Sequence, residues 1–114
     1  MIRRLRENLD VDTQTLLVEL RSALERHYGP RLRGLYLFGS YARGDQDAES
    51  DVDVLVALDD YASYHHEADE VSHITSPMSL HHGVTIAVVF VRDTDWRQGN
   101  RPFVSRVRGE ALPV

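Results

Sequence analysis

Gly39-Ser40-Tyr41-Ala42-Arg43-Gly44-Asp45, the spacer Gln46-Asp47-Ala48-Glu49 and then Ser50-Asp51-Val52-Asp53 form the most informative stretch of the 114-residue chain. Just before it, Leu35-Tyr36-Leu37-Phe38 is a short apolar and aromatic run that reads as a buried strand ended by Gly39. Residues 39–50 are small and polar and read as a loop with one helical turn starting at Ser40. Asp51 to Leu58 then reads as a second strand. Its period of two puts Val52, Val54 and Val56 on one face, and Asp51, Asp53 and Leu55 on the other. Two carboxylates two residues apart on a strand leave from the same side, close enough to share one ion.

Working outward, Asp10 or Asp12 is placed to cap a helix running to about Tyr28. Leu16, Leu20, Leu24 and Tyr28 recur at i+4, Arg26 and His27 suit the last turn, and Gly29-Pro30 stops it. Beyond the second strand, Asp59 or Asp60 is placed to cap another helix, with Tyr61, Tyr64, Ala68, Val71 and Ile74 on one stripe and Pro77 ending or bending it. Val84 to Val91 is almost wholly apolar and is expected inside the sheet. In the tail, Phe103, Val104 and Val107 suit a short helix on the core. The expected fold class is therefore α/β (α+β), a small mixed β-sheet with flanking helices in the order α-β-(short α)-β-α-β-α, as a single domain over residues 1–114.

Composition narrows the chemistry. There are no cysteines, which excludes disulfides, thiolate nucleophiles and Cys-ligated zinc, and all 13 basic residues are arginine, which excludes a catalytic lysine. What remains is carboxylates, histidines, hydroxyls and metals. No apolar run approaches the ~20 residues needed to span a bilayer, and no signal-peptide pattern opens the chain, so a cytoplasmic protein without membrane contact is expected. The net charge of −5 is segregated: residues 44–91 carry ten acids and no arginine. Such a block either solvates a surface or collects cations, and it argues against that stretch lying on a nucleic-acid backbone, so no direct nucleic-acid binding is expected.

Gly39 lets a backbone without a Cβ approach a ligand, and Ser40 adds a hydroxyl and a helix-start amide, which are phosphate-binding parts. Asp51 and Asp53 supply two hard oxygens that suit Mg²⁺. Taken singly, a Gly-Ser after a strand also fits an ordinary turn, and an Asp-x-Asp pair fits a solvated strand start. Other patterns carry less. Asp45-Gln46-Asp47-Ala48-Glu49 begins like a calcium loop, but Ser50 and Val56 stand where that loop needs Gly and Glu. His65 with Asp69, or His66 with Glu70, has spacing suited to zinc or to exposed helix positions. Trp96, Tyr61 and Tyr64 fit either base stacking or the core.

The full string, Gly39-Ser-Tyr-Ala-Arg-Gly-Asp45 and then Ser50-Asp-Val-Asp53, resembles the signature of the minimal nucleotidyltransferases of the DNA polymerase beta-like superfamily. The resemblance implies the nucleotidyltransferase fold, phosphate binding by Gly39 and Ser40, and Mg²⁺ held by Asp51 and Asp53 as the catalytic carboxylates. Arg43, at the variable position before Gly44, is a further phosphate contact or an ion-pair partner of a spacer acid. The resemblance further implies a nucleoside triphosphate substrate, ATP first, and an AMP-like group passed to a hydroxyl of a partner protein. It points to the antitoxin of a toxin–antitoxin pair, with a HEPN-domain protein as partner. One departure stands out. The third strand normally adds a third carboxylate, whereas Val84 to Val91 contains no acid and Ala87 is expected near that position. Asp93 and Asp95 lie beyond the strand, and Glu67, Asp69 or Glu70 would serve only if their helix leaned over the site. The alternative reading is a catalytically impaired relative acting as a non-catalytic binding partner.

Overall fold

The computed structural model describes residues 9–114. Asp10 caps the first helix, α1 (Val11–Tyr28), by accepting from the Thr13 N–H at 2.7 Å, which satisfies one of the free amides of the first turn. Leu16, Leu17, Leu20 and Leu24 of α1 are all but inaccessible to solvent, each stabilising the fold by about 1.5–3 kcal/mol through burial. After a 3-10 turn at Gly29–Arg31 the chain enters β1 (Leu32–Phe38), three residues earlier than the apolar pattern predicts. A register irregularity between Leu32 and Gly34 breaks the alternation there and hides the strand's start from a pattern reading.

One turn of helix, α2 (Ser40–Arg43), and a loop lead to β2 (Val52–Leu58). The second long helix, α3 (Tyr64–His82), is capped by Ser63 accepting from the His66 N–H at 3.1 Å, not by Asp59 or Asp60. Those two acids face arginines instead: Asp59 pairs with Arg31 at 3.2 Å and Asp60 with Arg92 at 2.6 Å. Pro77 lies inside α3 without ending it. It sits on the exposed side, where the carbonyl it leaves unpaired can be solvated. Then follow β3 (Ile86–Arg92), α4 (Asp93–Gln98), α5 (Pro102–Arg108) and a two-residue strand β4 (Leu112–Pro113).

The sheet order is β3-β2-β1-β4, with β1 antiparallel to β2 and β4 and with β3 parallel to β2. This mixed sheet with flanking helices is the expected class. β3, however, forms an edge rather than the interior. Its apolar character comes from helices on both faces: Ile86 and Phe90 join the core with α1 and α3, and Val91 joins Val104 and Val107 of α5 on the opposite side. β2 is the strand with neighbours on both sides and both faces covered, and from Val54 to Leu58 it is fully buried. Among the described residues no helix is long and apolar enough to cross a membrane.

One buried polar pair ties α1 to α3: the Tyr28 hydroxyl donates to Glu67 Oε1 at 2.8 Å. Burial, and then the Glu67 bond, push the Tyr28 phenol well above its usual range, so the hydroxyl keeps its proton. Tyr28→Phe removes the donor and leaves an acid that is only 6% exposed. The expected loss is about 1–3 kcal/mol of unfolding free energy, read by denaturant melts.

Candidate functional site

Gly39 leaves β1 with φ +75° and ψ −156°, a region open essentially to glycine alone. A Cβ at this residue would lie 2.2 Å from Asp53 Oδ2 and 3.1 Å from its Cγ. The antiparallel register explains the closeness: Phe38 lies opposite Asp53, so the carboxylate rests against the turn by which the chain leaves β1. That turn is fixed by the Arg43 N–H on the Gly39 carbonyl (3.0 Å) and the Gly44 and Asp45 N–H groups on the Ser40 carbonyl (2.8 and 3.1 Å). Buried Ala42 seats it on the core.

Gly39, Ser40, Arg43 and Asp53 line one pocket of about 370 Å³, whose far wall comes from α5 and the residues after it, as Arg106, Val107 and Glu110. Asp51 is exposed at the start of β2 and lines a different, wider groove of about 650 Å³ with Ser50, Thr75, Ser76 and Ser79. The two aspartates still feel each other. Burial first, and the Asp51 charge second, raise the Asp53 carboxyl above the ordinary range, while Arg43 pulls it back. A divalent cation between the two would offset both effects, and two hard carboxylate oxygens suit Mg²⁺. Among the described residues no three acid or imidazole groups converge, so phosphate and water oxygens would have to complete such a shell.

The strand pairing places Ala87 directly beside Asp53 on β3, the position at which the resemblance implies a third acid. Nor do the substitutes considered from the sequence reach the site. Glu67 is buried against Tyr28, Asp93 pairs with Arg97 at 3.0 Å, and Asp95 pairs with Arg101 at 3.5 Å. His66 and Glu70 approach to only 3.8 Å on the exposed side of α3. Trp96 packs against Tyr36 with ring centroids 4.5 Å apart, and Tyr61 and Tyr64 meet edge to face, so these aromatics serve packing.

The residue that sequence reasoning missed is Glu110. Its Oε2 accepts from the Gly39 N–H at 2.5 Å and from Arg43 Nη1 at 3.0 Å, and its Oε1 lies 3.3 Å from the same Nη1. Arg43 also donates from Nε to Asp45 at 3.2 Å, an ion pair with the acid two residues on, just before the spacer. Glu110 stands in an Arg-rich tail far along the chain from the motif, and only the fold brings it there.

The sequence profile of the nucleotidyltransferase domain family matches residues 17–109, which include every motif residue. The chain belongs to the nucleotidyltransferase family. A relative provisionally named protein adenylyltransferase MJ0604, from Methanocaldococcus jannaschii, is 33% identical over 79 residues, covering 69% of this chain and 73% of its own. A solved structure described as a minimal nucleotidyltransferase superimposes with a TM-score of 0.58 at 26% identity, covering 95% of this chain and 99% of that one. A toxin–antitoxin structure with AMP-PNP shares the fold at a TM-score of 0.60 and 20% identity, over 88% of this chain and 70% of that one. In this member of the nucleotidyltransferase family, Gly39, Ser40, Arg43 and Asp53 of the pocket all belong to the motif, while Asp51 opens on the neighbouring groove.

Proposed function

We propose that the chain binds a nucleoside triphosphate, ATP first, with Mg²⁺ held by Asp51 and Asp53, and transfers the nucleotidyl group to a hydroxyl of a partner protein. The observation that carries this reading is the closeness of Gly39 and Asp53: a carboxylate that burial has made costly to charge lies against bare backbone, 2.2 Å from where a Cβ would stand, in one pocket with Ser40 and Arg43. In the reaction, the acceptor hydroxyl oxygen bonds to the α-phosphorus, the bond to the β-phosphate bridge breaks, and pyrophosphate leaves. The Gly39 amide and the Arg43 guanidinium hold phosphate oxygens, and Ser40 adds its hydroxyl. Bound Mg²⁺ would supply charge neutralisation and a lowered proton affinity for the hydroxyl. The hydroxyl proton passes to a carboxylate of the site. The names of the relatives support a protein acceptor, and the resemblance supports a HEPN-domain toxin with this chain as antitoxin, in the cytoplasm.

A second reading has its own observation. Ala87 occupies the place beside Asp53 where a third acid would act, which favours slow transfer or a binding role alone.

The test is calorimetric titration with each ribonucleoside triphosphate, with and without Mg²⁺, in the parent and in Asp53→Asn. Binding in the parent is expected to be Mg²⁺-dependent and to fall by about 10–100-fold in the variant. The variant should fold. Because the folded chain raises the Asp53 carboxyl, stability is lost as pH rises through that value, so Asn should melt no lower than the parent at neutral pH in chelator. Binding that ignores both metal and variant would refute the reading.

A further inference from the structure

Glu110 holds the two donors that the proposed function gives to phosphate. Its carboxylate takes the Gly39 N–H at 2.5 Å and Arg43 Nη1 at 3.0 and 3.3 Å, inside the pocket that also contains Ser40 and Asp53. These are charge-assisted bonds to an amide and a guanidinium, the same donors in the same arrangement that would meet a phosphate oxygen. A phosphate and this carboxylate cannot both have them. Arg43 is, moreover, already balanced by Asp45, so with Glu110 in place the pocket offers an arriving anion a carboxylate where it needs a donor.

The backbone around Glu110 is fixed on both sides. The Glu110 and Ala111 N–H groups donate to the Val107 carbonyl at 3.0 and 2.9 Å, Leu112 is buried, and the Val114 N–H reaches the Leu35 carbonyl at 2.9 Å. The side chain, by contrast, is held among the described residues by hydrogen bonds to Gly39 and Arg43 only and borders solvent, at 22% exposure. It can therefore turn away by rotation about its own bonds while α5 and β4 stay in place.

We infer that Glu110 is an internal stand-in for phosphate: its carboxylate competes with the nucleotide for the Gly39 amide and Arg43, and nucleotide binding proceeds by its displacement. The residue thus sets nucleotide affinity, and it lies just past the residues that match the family profile. The inference rests on the proposed phosphate role of Gly39 and Arg43.

The experiment measures Mg²⁺–ATP, inorganic tripolyphosphate and adenosine binding to the full chain as parent, Glu110→Gln and Glu110→Asp, each checked by thermal melt. Gln keeps the shape without the charge, and Asp keeps the charge but withdraws it by one methylene. Both variants should bind Mg²⁺–ATP and tripolyphosphate more tightly than the parent, by about tenfold for Gln, with adenosine unchanged. A residue with a purely structural role, or one that helps hold the cation, would give the opposite sign. Equal or weaker binding of both phosphates by the variants, where the parent binds them, overturns the inference and leaves the phosphate site standing. Failure of parent and variants alike to bind either phosphate overturns the proposed function and the inference with it. Binding by the variants alone would show Glu110 closing the site.

Discussion

Gly39→Ala is expected to weaken nucleotide binding by on the order of a hundredfold and to destabilise the fold, and Gly44→Ala is the control that separates the causes. At Gly39 the backbone angles alone cost a non-glycine residue about 1–3 kcal/mol. The added methyl would also lie 2.2 Å from Asp53 Oδ2, so the carboxylate must swing out of the pocket or β1 and β2 must part. β2 has the less freedom to move, since Val52 and Val54 on either side of Asp53 are fully buried. The side chain therefore moves, and with it the anchor of the site; misplacing such a group by about 1 Å typically costs on the order of a hundredfold. Gly44 also has positive φ, at +84°, but nothing lies within 4 Å of a Cβ there. Gly44→Ala should lose about 1–2 kcal/mol for the left-handed backbone and keep its nucleotide affinity. Calorimetric titration and denaturant melts of both variants check this. A Gly39→Ala protein that binds Mg²⁺–ATP like the Gly44→Ala protein would disprove the contact's role.

How much of this was visible in the sequence depends on distance along the chain. The leucine stripe of α1 with its Asp10 cap, the apolar end of β1, the turn at Ser40 and the Asp-x-Asp strand are local patterns, and each lies where its spacing predicts. Their meeting follows from one hairpin-like pairing, which lays Phe38 opposite Asp53. Ala87 lies beside Asp53, near where the sequence reading puts it, but the register that fixes it there comes from the parallel pairing of β2 and β3. Three features were not legible. Pro77 inside α3 is tolerated by exposure, which no propensity reveals. The apolar β3 lies at the sheet's edge because α4 and α5 cover its second face, and those short helices carry almost no periodicity of their own. Glu110 enters the site from beyond α5, so its role depends on tertiary packing rather than on any motif. The separation of Asp51 from the pocket of Asp53 is of the same kind: the period of two puts both on one face, yet Asp51 stands one residue before β2 begins and opens on the neighbouring groove.

Ala87→Asp is the change expected to raise activity most. Position 87 is the Cα partner of Asp53 in the parallel pairing of β2 and β3, so the two residues stand about 4.8 Å apart across the sheet on the same face. Ala87 is partly exposed, which leaves room for a carboxylate without repacking. A third acid would give the cation a third protein oxygen and the acceptor hydroxyl a second base. General-base assistance is worth about 10²–10⁴-fold in rate, and pyrophosphate release from ATP in the presence of the partner protein should rise within that range. The same substitution has a readout that needs no acceptor. In chelator, a carboxylate beside Asp53 adds repulsion to a residue that burial and Asp51 already make costly to charge, so the variant should melt below the parent. Mg²⁺ should then stabilise it more than it stabilises the parent, because a ligand that binds the folded form alone adds stability in proportion to its affinity. If Mg²⁺ raises the two melting temperatures equally, position 87 does not face the cation, and the second reading loses its support from β3. If the Mg²⁺ response grows but pyrophosphate release stays flat, the metal site is complete and the second reading gains, since the chain then binds nucleotide without a surface that presents the acceptor.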